Sequence, residues 1–249
     1  MLDEGPPVEP RPAATVVLAR GRRPWEALLM RRPGGAEFAP GAYVFPGGSV
    51  HDEDLAFRDE IRAAAVRELF EEVGVLLARR NGRFARDADC GRLRELLASG
   101  RAWKPALDDL QLIPAFDRLA YFARWVTPKP LRRRFDTRFF LCRLPSGQTI
   151  HPQPSEVEEW VWMLPRRALT AAQVTLVHAT RMNLELLAAE PDVSRLIARV
   201  RRRRRVELIE PSLLQTPDGW KVLMPGETVT NITLPGVEAP ALIKQFCSP

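Results

Sequence analysis

A chain of 249 residues with 45% hydrophobic content can bury a sizeable core, either as one elaborated domain or as a domain with a small addition. No apolar run approaches bilayer length and no signal-peptide pattern is present, so a soluble protein with the cytoplasm as default compartment is expected, without membrane association. The net charge of +6 suits an anionic ligand, while Cys90, Cys142 and Cys247, scattered without C-x-x-C spacing, fit reduced thiols rather than a disulfide framework or a zinc site.

The proline-rich opening reads as a loosely draped segment over residues 1–11, with order beginning near Ala13. Ala14 to Ala19 and Ala27 to Met30 are short apolar runs separated by Gly21 to Pro24, which predicts two strands joined by a turn. Pro33 to Gly41 reads as a loop, Tyr43 to Phe45 as a short strand, and Asp54 to Val73 as a helix. Residues 76–114 have helix-compatible composition around Leu93 to Leu97 and no regular strand pattern, so a helical insertion is expected there. Leu119 to Val126, Asp136 to Leu144 and Glu158 to Leu164 predict further strands. Pro165 to Ala171, Ala179 to Ala189 and Val193 to Arg202 predict helices within a helical region over 165–205, followed by strands or ordered loops at Val206 to Ile209 and Trp220 to Met224. The main domain is thus placed at 12–226, with a tail over 227–249.

The run Arg201 to Arg205 raises nucleic acid as a partner. It follows Val193, Leu196, Ile197 and Val200, however, and reads as the cationic end of an amphipathic helix that complements the helix dipole. Without interleaved aromatics, a nucleic-acid role is disfavoured. His51, His151 and His178 are isolated and read as structural, and Trp160, Trp162, Phe139 and Phe140 read first as strand core and second as pocket lining.

The chemistry is carried by Arg67-Glu68-Leu69-Phe70-Glu71-Glu72-Val73-Gly74-Val75, preceded by Phe45-Pro46-Gly47-Gly48. On a helix, Glu68, Glu71 and Glu72 share an arc of about 100°, with Val66, Leu69, Phe70 and Val73 on the opposite face. Like charges at these spacings destabilise a helix, and a bound cation reverses that sign. Mg2+ suits the cluster because it takes oxygen ligands and bridges carboxylates to substrate phosphates, which points to transfer of a phosphoryl group to water. Gly74 is placed to end the helix in the left-handed conformation, and Gly47 and Gly48 to let backbone approach metal or phosphate.

These residues resemble the Nudix signature, in which a glycine and a glutamate precede R-E-U-x-E-E-x-G-U, U being apolar. Gly48 lies nineteen residues before Arg67, five more than in the usual signature, so the preceding glutamate is displaced. Asp59 has the usual offset but points toward the apolar face, and Glu60, on the charged side, is the choice. The run Phe38 to Phe45 leading into Pro46-Gly47-Gly48, the lengthened connection after it, Arg134 to Phe140, and Glu158-Glu159-Trp160 ahead of Pro165 resemble the branch that contains peroxisomal CoA and acyl-CoA diphosphatases and their bacterial relatives.

The resemblance implies an α/β/α sandwich with a mixed sheet, and hydrolysis, dependent on Mg2+ or Mn2+, of a diphosphate linkage in a nucleoside diphosphate derivative, first of all CoA or acyl-CoA, cleaved to adenosine 3′,5′-bisphosphate and 4′-phosphopantetheine or its acyl form. Other Nudix substrates (ADP-ribose, dinucleotides, nucleoside triphosphates) and a non-catalytic sensing or nucleic-acid-binding module are the alternatives. It also implies Glu68, Glu71 and Glu72 as metal ligands, with Gly48 and Glu60 beside them, Arg67 orienting Glu71, and the base either one of these glutamates or a residue elsewhere in the chain. Arg32, Arg138 and Gly47 are the candidates for phosphate contact. Monomer and homodimer are both compatible with such a fold.

Overall fold

The computed structural model describes residues 6–36, 39–216 and 219–227. Phe38, the tail from 228 onward and Cys247 lie outside these described residues. The elements in chain order begin with strands β1 (Arg11–Gly21), β2 (Trp25–Arg31), β3 (Tyr43–Val44) and β4 (Gly47–Ser49), followed by helix α1 (Glu60–Val73). Strands β5 (Ala78–Arg80) and β6 (Arg83–Phe84), helices α2 (Asp87–Ala98) and α3 (Trp103–Asp109), and strand β7 (Ile113–Pro114) come next. Strands β8 (Ala120–Val126), β9 (Phe135–Arg143) and β10 (Glu159–Met163) precede helices α4 (Pro165–Ala168), α5 (His178–Ala188) and α6 (Val193–Arg201). Strands β11 (Leu208–Ile209), β12 (Ser212–Thr216) and β13 (Gly219–Leu223) complete the order.

Strand β1 runs through the middle of a mixed eight-stranded sheet of order β10-β2-β1-β9-β8-β11, with β3 paired to β2 and β4 to β1. It pairs in parallel with β9 from Arg11↔Phe135 to Ala19↔Arg143. Covered on both faces, it carries the nearly continuous apolar run expected of a central strand. Ala14, Val16 and Leu18 pack against Ile61, Leu69, Phe70 and Val73 of α1. On the opposite face, Val17 and Leu141 join Leu184, Leu187, Leu196 and Val200 of the C-terminal helices. The fold is therefore the α/β/α sandwich expected, with α1 and the insertion on one face and α4 to α6 on the other.

Two expectations are corrected, and one strand is added. The long helix from Asp54 is broken: Asp52–Ala56 form a 3-10 turn, Phe57 is extended, and α1 starts at Glu60. The break comes from Asp59, whose side chain accepts from the Arg62 N–H and caps the helix. The insertion contains α2 and α3 but also a small sheet of order β6-β5-β7, whose two- and three-residue strands are too short to show a period. Strand β4 is glycine-rich and owes its conformation to pairing with Ala13, Ala14 and Thr15. The helix expected over Val193 to Arg202 ends at Arg201, with Arg202 to Arg205 exposed beyond it, and among the described residues Cys90 and Cys142 are buried, free thiols.

Helix α1 stops at Gly74 in the left-handed conformation, φ 73°, its N–H donating to the Phe70 carbonyl. A Cβ at Gly74 would lie 2.8 Å from the His151 Cβ and 2.9 Å from its carbonyl oxygen. Gly74→Ala therefore combines an unfavourable φ with a clash, and it should destabilise the protein by about 1 kcal/mol or more. Denaturant unfolding measures this as a lower midpoint at unchanged slope, and an unaltered midpoint would refute the capping assignment.

Candidate active site

The site is organised by Arg67, which is only 2% exposed. Its Nε–H and one Nη2–H donate to Asp54, at 3.1 and 2.9 Å, in a bidentate pair. The Nη1 group donates to Glu68 at 2.9 Å and to Glu71 at 2.8 Å, and Nη2 also reaches the Ser49 carbonyl at 2.9 Å. All the donors of a guanidinium are thereby engaged. Burial alone would lower the Arg67 pKa, but hydrogen bonding to Asp54 and the charges of Glu68 and Glu71 raise it, so the residue stays cationic.

Asp54, fully buried, is the acidic partner that the displaced signature left open. It lies six residues after Gly48, the usual distance between the glycine and the acid, so the five extra residues fall between Asp54 and Arg67. Counting forward from the glycine rather than back from the arginine finds it. Glu60 is corrected as a site residue: it is exposed at the first position of α1, about 12 Å along the axis from Glu68.

Gly47 and Gly48 form a shelf against the other carboxylates. The Gly47 N–H donates to Glu72 Oε2 at 2.7 Å. A Cβ at Gly48 would lie 2.6 Å from the Glu68 carboxylate, and one at Gly47 would lie 2.3 Å from the Ala14 carbonyl oxygen, so only glycine fits this approach. After β9 the chain returns along α1, where the His151 and Gln153 N–H groups bond the Val73 and Glu72 carbonyls. That return brings the Glu156 charge close enough to act on Glu68, Glu71 and Glu72 together, a placement with no local sequence signal.

Burial raises the pKa of all three glutamates: Glu68 to about 7, Glu71 above its usual value, and Glu72 well above it. Arg67 opposes the shift at Glu68 and Glu71, whereas the Glu68 charge adds to it at Glu72. Asp54, Glu68 and Glu71 thus face one guanidinium, and Glu72 stands beside Glu68 on the Gly47 N–H, an excess of negative charge with oxygen donors only. This chemistry fits a hard divalent cation. Among the described residues no three acidic, His or Cys groups yet converge on one point. Glu68 and Glu71 each turn one oxygen to Arg67, and Glu72 turns one to Gly47, which leaves accepting capacity on each carboxylate.

The shelf opens into a cleft of about 790 Å3 lined by Arg32, Gly47, Gly48, Glu156, Trp125 and His178, among others. Arg32 is half-buried there, and its charge acts on Glu72. Arg138 is corrected. Its neighbours Thr137 and Phe139 line the cleft, so the alternation of β9 turns Arg138 to the opposite face, where its charge acts on Tyr121. Phe139 borders the cleft while Phe140 packs in the core beside α1, and Trp160 lies exposed on edge strand β10. His178, read as structural from sequence, also borders the cleft.

The family model described as the NUDT19 Nudix domain matches residues 53–178. The chain belongs to this family of Nudix hydrolases. It is 34% identical over 164 residues to nudix hydrolase 7 of Caenorhabditis elegans, covering 65% of this chain and 54% of that protein. It is 30% identical over 194 residues to human acyl-coenzyme A diphosphatase NUDT19, covering 70% of this chain and 51% of the human protein. The chain thus spans about half the length of the curated relatives it matches. A crystal structure of a Nudix hydrolase from Alicyclobacillus acidocaldarius aligns with a TM-score of 0.66 at 27% identity, over 77% of this chain and 96% of that one. No helix among the described residues is long and apolar enough to cross a membrane.

The ion pair and the titrations generate two expectations. Asp54→Ala strands a buried guanidinium and should cost about 3–5 kcal/mol, whereas Glu60→Ala should change stability by less than about 0.5 kcal/mol. Equal denaturation midpoints for the two variants would overturn the assignment of Asp54. The second expectation concerns pH in the metal-free protein. The folded pKa of Glu68 lies above its unfolded value, so its contribution is fully present below about pH 4.5 and is lost as pH rises through about 7. The Tm without metal should fall across that window, and added Mg2+ or Mn2+ should raise Tm more at pH 8 than at pH 5, because the cation competes with protons. A metal-induced shift independent of pH would count against carboxylate binding.

Proposed function

We propose that this protein hydrolyses the diphosphate linkage of CoA or an acyl-CoA, giving adenosine 3′,5′-bisphosphate and 4′-phosphopantetheine or its acyl form. The observation that carries the reading is the carboxylate cluster beside Arg67, with Glu68 and Glu72 buried and Glu71 at the solvent edge, set against the Gly47–Gly48 shelf at one end of a cleft of about 790 Å3. The similarity to acyl-coenzyme A diphosphatases supports the choice of substrate.

Glu68, Glu71 and Glu72 would hold Mg2+ or Mn2+, which supplies charge neutralisation at the phosphoryl oxygens and a lowered pKa for water. Arg67 holds Glu68 and Glu71 in place from behind and keeps the helix compatible with so many carboxylates. The glycine shelf lets the diphosphate approach the backbone without a side chain between them. Arg32 offers planar donors to the phosphate oxygens. One glutamate carboxylate of the cluster accepts the proton of the attacking water as the new P–O bond forms. The bridging P–O bond breaks, and its oxygen departs on the leaving phosphate.

Glu71→Gln and Glu72→Gln keep the side-chain volume but remove a ligand charge, so each should lower kcat by orders of magnitude with little change in folding. The test is hydrolysis of CoA, acyl-CoAs, ADP-ribose, NADH, diadenosine polyphosphates and nucleoside triphosphates, with and without Mg2+ or Mn2+, products being resolved by mass. Adenosine 3′,5′-bisphosphate from CoA substrates is the expected main product. Stronger turnover of another compound would reject the CoA assignment, and undiminished turnover in both glutamine variants would reject the site.

A further inference from the structure

The cleft has two chemically different ends, and the strand register measures the distance between them. Ser49 of β4 pairs with Ala13 of β1, Ala13 with Thr137 of β9, and Thr137 with Trp125 of β8. Directly paired residues share a face of the sheet, and all four border the cleft. This row crosses three strand spacings, about 14 Å, from the backbone of Ser49, next to the glycine shelf, to that of Trp125. Between the ends, the small residues Ala13 and Thr137 leave a trough.

The far end is built from rigid rings. Trp125 is buried, and its indole N–H donates to Asn183 Oδ1 at 3.2 Å. The His178 ring stands edge-on to it at 5.9 Å and 82°, and burial lowers the His178 pKa, which favours the neutral imidazole. Thr137 and Thr180 line the same part of the cleft, while the Thr127 hydroxyl is held by the Phe135 backbone. Asn183 is 2% exposed and its Nδ2 has no hydrogen-bond partner. A buried unsatisfied donor is destabilising, so stability alone does not account for this amide, whereas holding the indole in one orientation does.

We infer that the trough from Gly48 to Trp125 receives the nucleoside half of the substrate, with the base against Trp125 and His178 and with Asn183 as a positioning residue for the indole. The inference rests on the reading above in taking the diphosphate to the glycine shelf. Two features favour the nucleoside over the pantetheine arm. A nucleoside is short and ends in a flat ring that matches the trough's length and its preorganised ring wall, whereas the extended arm would overrun a floor of about 14 Å. The Thr137 and Thr180 hydroxyls suit a base edge or ribose, and the arm is left to leave through the open side of the cleft.

Calorimetric binding of ADP and, separately, of 4′-phosphopantetheine to the full chain tests this. ADP is the nucleotide shared by CoA, ADP-ribose and adenine dinucleotides, so its binding is read independently of which of them is hydrolysed. Trp125→Leu and the half-exposed His178→Ala should each weaken ADP about tenfold or more, while 4′-phosphopantetheine changes by less than about twofold. If Trp125→Leu does not fold, His178→Ala carries the test. Asn183→Leu should weaken ADP several-fold and raise KM more than it lowers kcat, which a loss of folded protein would not do. Absent ADP binding, ADP affinity indifferent to both ring variants, or a selective loss of 4′-phosphopantetheine would overturn the inference. Failure to hydrolyse CoA, with ring-dependent ADP binding intact, would reject the proposed substrate and leave the nucleoside site standing.

Discussion

The site depends on one buried guanidinium. Arg67 joins the 3-10 turn through Asp54, strand β4 through the Ser49 carbonyl, and its own helix through Glu68 and Glu71. A lysine could not make these contacts together, because an ammonium has three donors on a point charge rather than a planar fork. Since Asp54 and Arg67 are both buried, removing one partner leaves the other charged and desolvated, and this penalty locks the glycine shelf to the helix that carries the acids.

The same helix shows a conflict between local stability and function. Its apolar face packs on the sheet, as Leu69, Phe70 and Val73 show, but Glu68 and Glu72 are nearly as buried on another side. Burial of carboxylates disfavours their charged forms, and mutual repulsion adds to that cost, as the raised pKa values express. Arg67 offsets part of it. The remainder is an electrostatic preference for a cation, held in reserve by residues whose backbone is already fixed by α1 and by the Gly47 contact.

Opposite faces of the sheet divide the work. The α1 face supplies acids and core, while the other face, under α5, supplies the trough with its ring wall. Strand β4 connects the two, because it pairs with β1 at the trough while its glycines touch Glu68 and Glu72. The insertion packs on the α1 face, away from the trough, with Trp103 against Phe70.

From sequence alone, the stretch from Arg67 to Gly74 was legible because helical spacing, a guanidinium and a terminating glycine are local properties. So were the long strands β1, β2, β8 and β9, whose apolar runs announce burial. Asp54 was only half legible: its six-residue spacing from Gly48 was present, but the extra residues after it obscured the count until the fold placed its carboxylate on Arg67. Arg138 illustrates the opposite case, since its residue type suited phosphate and the strand alternation turned it away from the cleft. Sequence therefore determined which residues carry charge, periodicity and turn capacity. Tertiary structure decided which of them meet, because Glu156, Trp125, His178 and Asn183 reach the cleft or its wall through strand register and helix packing between segments distant in the chain.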